Sequence, residues 1–171
     1  MSLQFSIDTP KELVFESVKE YLNQQRLSVS KEDSSRPWGG FFVLDEAQAE
    51  RFISLYFSHL TKEELTITGK LSPKILIVAP HRRLSWQYHF RRAEIWKLIG
   101  GKAAVVTSDT DDEKEITQLN IGDIILLKQG ERHRLVGVDG WGIVAEIWRH
   151  TDEANPSDEE DIVRLQDDFG R

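Results

Sequence analysis

The chain has 171 residues, an ordinary apolar content and no cysteine, which fits one globular domain and excludes disulfides, thiolate nucleophiles and cysteine-ligated zinc together. Its formal net charge of −7 argues against a nucleic-acid partner, because phosphate-backbone binding needs a basic face. No apolar run approaches the roughly 18 residues that span a bilayer, and the start at Met1 to Asp8 lacks a basic segment followed by an apolar one, so a cytoplasmic setting without membrane contact is expected.

In chain order, Asp8-Thr9-Pro10 reads as a helix start, with an N-cap followed by proline in the first turn. Val14, Val18, Tyr21 and Leu22 then form an apolar stripe that runs to about Gln25 and suits packing on a neighbouring surface. Lys31 to Ser35 reads as a polar connector, Trp38 to Leu44 as a strand, and Asp45 to Ser58 as a second helix with Phe52, Ile53, Tyr56 and Phe57 available for burial. From Lys74 the pattern changes to short β segments: 74–79, 84–90, 94–99, 102–108, 115–119, 123–127, 133–138 and 141–149. Eight strands at this spacing predict an antiparallel barrel or sandwich. Thr151 to Glu160 is an acidic tail, and Asp161 to Asp168 is expected to form a short helix.

Two of these segments carry chemistry. In Ser85-Trp86-Gln87-Tyr88-His89, alternate residues of a strand share a face, so Gln87 and His89 point the same way, and the Arg91-Arg92-Ala93 corner can bring Glu94 round on the next strand. A second segment ends in the glycine-marked turn Gly130-Glu-Arg-His133 and supplies a histidine at the start of a strand. A lone strand histidine is usually a packed or surface side chain, and glutamine is an uncommon ligand, so neither suffices alone; the set Gln87, His89, Glu94 and His133 makes a candidate metal site. Three neutral donors and one carboxylate suit zinc, iron(II), manganese, cobalt or nickel. His59 and His81 read as surface residues, and His150 stays unassigned.

These segments resemble the two motifs of the cupin superfamily. Within it, Leu84-Ser-Trp-Gln-Tyr-His-Phe-Arg-Arg-Ala-Glu-Ile-Trp96 is similar to the signature L-S-x-Q-x-H-x-H-R-A-E-H-W of the type II mannose-6-phosphate isomerases. Arg36-Pro-Trp-Gly39, Gly130-Glu-Arg-His-Arg134, Asp161-Ile-Val-Arg-Leu165 and Phe169-Gly-Arg171 resemble that family's R-P-W-G, G-x-x-H-R, D-D-I-V-R and Y-G-R elements, in the same order. Two positions depart: Arg91 stands where the family has a second histidine, and Ile95 where a histidine follows the glutamate. A stretch from about Glu46 to Leu71 is additional.

The resemblance implies a mainly β fold, a cupin jelly-roll barrel with flanking N-terminal helices. In a single domain, residues 1–71 would pack on the barrel, 72–150 would form its core and 151–171 a tail. It implies one divalent ion, zinc or a related metal, on Gln87, His89, Glu94 and His133. The implied activity interconverts mannose 6-phosphate and fructose 6-phosphate through an enediol, for which a Lewis-acid metal polarises the sugar oxygen. Proton transfer and enediolate stabilisation then fall to a metal-bound water, to Arg92 of the matched R-A-E, or to Lys74 if it faces the lumen. Arg36, Arg91 and Arg134 are the expected substrate contacts, a small phosphate needing only two or three local cations. A non-catalytic sugar-binding cupin and, after it, an iron-dependent oxygenase are the alternatives. A homodimer is compatible with the resemblance. No glycine-rich nucleotidyltransferase start is visible, so nucleotide-sugar synthesis is not expected from this polypeptide.

Overall fold

The first helix places four apolar side chains on one stripe, and all of them are buried: α1 (Lys11–Gln24) turns Val14, Phe15, Val18 and Leu22 inward. In the computed structural model, which describes residues 2–67 and 69–171, this stripe lies against a β-sheet. The helix starts at Lys11, so Pro10 stands in the cap position rather than in the first turn, and having no side-chain acceptor it provides no side-chain cap. Strands β1 (Val29–Asp33) and β2 (Gly39–Leu44) pair antiparallel, so the polar connector expected at Lys31 to Ser35 is largely strand. The second expected helix is a 3-10 turn at Glu46–Gln48 followed by α2 (Ala49–Tyr56), and a short α3 (Lys62–Leu65) with a Thr61/Glu64 capping box follows.

The eight strands expected from Lys74 onward all form. They are β3 (Lys74–Val78), β4 (Trp86–Tyr88), β5 (Arg92–Gly101), β6 (Ala104–Ser108), β7 (Thr117–Gln118), β8 (Ile124–Leu127), β9 (Arg132–Val136) and β10 (Gly142–His150). One sheet runs β1-β2-β3-β10-β5-β8; the other is β11-β4-β9-β6-β7, where β11 (Val163–Gln166) replaces the helix expected at Asp161 to Asp168. The sheets therefore draw on the N-terminal segment and on the tail as well as on residues 72–150.

The inner strands of the six-stranded sheet, β2, β3, β10 and β5, are covered on both faces, and strand alternation sorts their residues. Phe42, Ile75, Ile77, Ile143, Ala145 and Ile147 face the helices, where they join Val14, Val18, Phe52 and Phe57. Phe41, Leu76, Val78, Trp96, Leu98 and Val144 face the other way and line the barrel lumen with Trp38, Leu84 and Leu135. This explains why β3 is buried at all five positions. Gly39 sits where β2 presses on β3: it has φ 141°, and a Cβ there would lie 1.9 Å from the Ile77 carbonyl oxygen. The turn it closes, with Gly39 N donating to Arg36 O at 3.1 Å, puts Trp38 in the lumen and Arg36 at its rim.

Candidate metal centre in the barrel lumen

Strand parity carries chemistry into the lumen. Lys74 follows the parity of Leu76 and Val78, Glu94 that of Trp96 and Leu98, and Glu146 that of Val144 and Trp148; all three are at least 95 % buried. Gln87 on β4 pairs with His133 on β9, which sets these two candidate ligands side by side across the facing sheet.

Four side chains converge. His89 Nε2 lies 3.1 Å from Glu94 Oε1 and His133 Nε2 lies 3.4 Å from Glu94 Oε2, so the carboxylate bridges the two imidazoles. Ligand atoms of this triad lie within 4.8 Å of one another, close enough to hold one metal ion, and each residue is buried. Both imidazoles are oriented from behind: His89 Nδ1 donates to Asp161 O at 2.7 Å and His133 Nδ1 to Glu131 O at 2.8 Å. That fixes the tautomers so that both Nε2 lone pairs face inward, the arrangement of metal-ligating histidines. Among the described residues His133 Nε2 is buried with no hydrogen-bond partner, a lone pair that a metal ion would satisfy. The residues present fit a divalent metal. Gln87 holds its Oε1 on Ser85 Oγ at 2.5 Å and turns Nε2 toward His89, so its amide must turn over before it can ligate through oxygen.

The charges follow from these contacts. Burial alone would raise the Glu94 carboxyl, but His89, Arg92 and His133 outweigh it and hold the group well below its ordinary range, so it stays ionised. Burial lowers His89, whereas for His133 the Glu94 carboxylate outweighs burial and raises it.

Arg92 is 5 % exposed and fully engaged. Nε donates to Glu94 Oε1 at 2.8 Å, Nη1 to Ser157 Oγ at 2.8 Å and Asp158 O at 3.0 Å, and Nη2 to His89 Nε2 at 3.3 Å, with the guanidinium 3.7 Å over the Trp148 ring. Lys74 does face the lumen, is ion-paired with Glu159 and lies 4.3 Å from the Trp148 ring centroid. Both line a cavity of about 120 Å³ that also takes in Arg36, Gln87, Glu94, Glu146, Arg164 and Arg171. Arg91 and Arg134 lie outside it. Arg91 pairs with Asp158 at 3.3 Å, and Arg134, 1 % exposed, spends its guanidinium on Leu84 O, Glu113 and Gln166, bracing separate segments.

Two residues of the site went unrecognised in the sequence. Glu146 accepts from Trp96 Nε1 at 2.7 Å and from Trp148 Nε1 at 2.9 Å, and burial together with the Glu94 charge pushes its pKa up to about 7. Its signal was an acid inside the otherwise apolar run Gly142-Ile-Val-Ala-Glu-Ile-Trp148. Asp161 accepts from the backbone N–H groups of Phe90 and Arg91, both at 2.9 Å, and from Ser157 Oγ at 2.6 Å, pinning the corner between His89 and Glu94.

A closed lumen of two antiparallel sheets with a His/Glu/His cluster inside it defines a cupin barrel with a candidate metal centre. The chain belongs to the family described as Mannose-6-phosphate isomerase C-terminal, whose model matches residues 56–167. Similar solved structures share the fold at low identity. CapF, a capsular polysaccharide assembling protein from Staphylococcus aureus, has a TM-score of 0.53 at 13 % identity over 80 % of this chain and 34 % of its own. A recombinant oxalate oxidase in complex with glycolate gives 0.52 at 17 % over 81 % and 61 %, and vicilin from hazelnut, Corylus avellana, gives 0.52 at 16 % over 81 % and 36 %. The chain thus spans less than two thirds of the length of each of these structures. Among curated proteins, none matches the sequence. Among the described residues no helix is long and apolar enough to cross a membrane.

Proposed function

We propose that the chain is a metal-dependent aldose–ketose isomerase that interconverts mannose 6-phosphate and fructose 6-phosphate, with zinc as the favoured ion on His89, Glu94, His133 and Gln87. The observation that carries this reading is the placement of Glu146, a second and separately tuned buried carboxylate, in the same cavity as Gln87 and Glu94, the latter bridging His89 and His133. Membership of a family described by mannose-6-phosphate isomerase supports the substrate.

Isomerisation moves one proton between C2 and C1 and one between the two oxygens, with no net change in atoms. The bound metal supplies Lewis acidity at those oxygens. A carbon proton needs an acid/base whose pKa lies near working pH, and Glu146, at about 7, meets that condition where the family's extra histidines are replaced by Arg91 and Ile95. Its carboxylate takes the proton from one carbon and returns it to the other, while the Trp96 and Trp148 indoles hold it in place. Arg92 and Lys74 keep positive charge beside the cavity, where an enediolate develops.

The test is a coupled assay on purified protein before chelation, after chelation and after zinc is restored. Activity should vanish and return with the metal, and be absent from His133→Ala that remains folded. A metal-loaded, folded wild type that binds fructose 6-phosphate and never forms mannose 6-phosphate would overturn the isomerase reading in favour of a binding cupin.

A further inference from the structure

Three arginines from separate segments meet at the cavity: Arg36 from the turn before β2, Arg164 from β11 and Arg171 beyond it. The register of β11 on β4 sets Arg164 opposite Gln87, and cross-strand partners share a face, so Arg164 is directed to the cavity side beside a candidate metal ligand. Gathering like charges is unfavourable unless each is compensated. Asp33 takes Arg36 Nε at 2.9 Å, and Asp167 takes Arg171 Nε at 2.7 Å and Nη2 at 3.3 Å, which leaves other guanidinium N–H groups of both unspent. The Arg164 guanidinium has no hydrogen bond or ion pair among the described residues. Burial, then Arg171 and Arg36, disfavour its charge.

The cavity is lined by five cations, Arg36, Lys74, Arg92, Arg164 and Arg171, against three carboxylates, Glu94, Glu146 and Glu159, in a chain whose net charge is −7. The inner charges are already matched to one another: Arg92 to Glu94 and Lys74 to Glu159. Of the three arginines, Arg36 and Arg171 are paired with Asp33 and Asp167 outside the cavity lining and keep spare N–H donors, so the uncompensated positive charge sits on Arg164. Convergent guanidinium donors with spare N–H groups suit a ligand with several anionic oxygens, which planar forks bind bidentately.

We propose that Arg36, Arg164 and Arg171 form a phosphate clamp that holds the phosphate group of a sugar phosphate while its carbonyl end reaches the His89/Glu94/His133 cluster. This rests on reading the cavity as a phosphosugar isomerase site. It gives the phosphate to two arginines of the D-I-V-R and F-G-R segments, Arg164 and Arg171, in place of Arg91 and Arg134, which lie outside the cavity.

The experiment is calorimetric binding of inorganic phosphate, fructose 6-phosphate and fructose to zinc-loaded wild type, Arg164→Ala and Arg164→Lys, with zinc content and KM measured on the same samples. Loss of a charge-assisted fork is worth about tenfold or more in affinity. Arg164→Ala should weaken phosphate and fructose 6-phosphate binding by at least about that factor, leave fructose binding and zinc content unchanged, and be only partly rescued by lysine. Unchanged phosphate affinity in Arg164→Ala, or no phosphate binding by the wild type, overturns the clamp. The two readings separate cleanly. Turnover by the wild type with an unchanged KM in Arg164→Ala sinks the clamp alone; Arg164-dependent phosphate binding without turnover keeps the clamp and sinks the isomerase.

Discussion

The Nδ1 of His89 donates to the carbonyl oxygen of Asp161 at 2.7 Å, across 72 positions of sequence, and the carboxylate of the same aspartate holds the backbone N–H groups of Phe90 and Arg91. One residue of the C-terminal segment thus orients a candidate ligand and fixes the corner that brings Glu94 to face it. Removing such an orienting partner costs about 10–100-fold in metal affinity. Asp161→Ala keeps the backbone carbonyl that His89 contacts but removes the carboxylate that pins the Phe90–Arg91 corner, so zinc affinity should fall toward that range although no ligand is removed, as read by competition with a chromophoric chelator; wild-type affinity would show that the corner holds without the carboxylate.

Glu146 should govern the pH profile. Its folded pKa of about 7 lies above the ordinary carboxyl value of 4.5, so the basic form needed to accept a carbon proton grows in as pH rises through about 7. The wild-type rate should fall on the acid side of that point. Glu146→Gln should lose about 10²–10⁴-fold in kcat with zinc still bound. The same shift has a stability sign: a raised carboxyl pKa favours the fold most below pH 4.5, and this contribution is lost as pH climbs through about 7. A Glu146→Gln enzyme with unaltered kcat and profile would remove Glu146 from the chemistry.

His150 offers an independent pH test away from the cavity. It is 3 % exposed, its Nδ1 accepts from Ser157 N at 2.9 Å, and burial, Lys70 and Arg92 push its pKa down to about 4 from 6.5. The unfolded chain therefore takes up a proton that the folded one refuses. Its stabilisation is complete above pH 6.5 and disappears as pH falls through about 4, amounting to roughly 3 kcal/mol at most. The urea stability gap between wild type and His150→Gln should shrink by that order between pH 7 and pH 4. A gap independent of pH would refute the assignment.

Gly39→Ala tests the joint between β2 and β3. The added Cβ meets the Ile77 carbonyl oxygen at 1.9 Å on a backbone with φ 141°, so the strands must part or the turn must unwind. A loss above about 1 kcal/mol is expected by chemical denaturation. Because Arg36 hangs on the same turn, phosphosugar affinity should fall with it.

The strands from Lys74 to Arg149 were legible because their apolar runs and turn residues are local signals. So were Gln87, His89, Glu94 and His133, which the fold brings together from positions chosen by spacing and by resemblance to a cupin family. The failures share a physical cause. β1 and β11 are largely exposed, β1 with no alternating apolar face and β11 with an alternation only four residues long; they become strands by pairing with β2 and with β4, partners that local pattern does not reveal. Glu146 looked like one acid among 29 Asp and Glu residues until strand parity turned it into the lumen. Arg134 read as a substrate contact because of the histidine beside it, whereas burial of its whole guanidinium against Leu84, Glu113 and Gln166 makes it a brace.

Asp161 and β11 come after every other strand in chain order, yet they finish the pocket begun some 70 residues earlier. During synthesis the sheet from β3 to β10 can therefore assemble first, as a vessel whose inner chemistry is not yet primed. On the proposed reading, metal capture and sugar-phosphate recognition would switch on together when β11 zips onto β4, so a ribosome-held chain short of that segment would carry a barrel without a working interior.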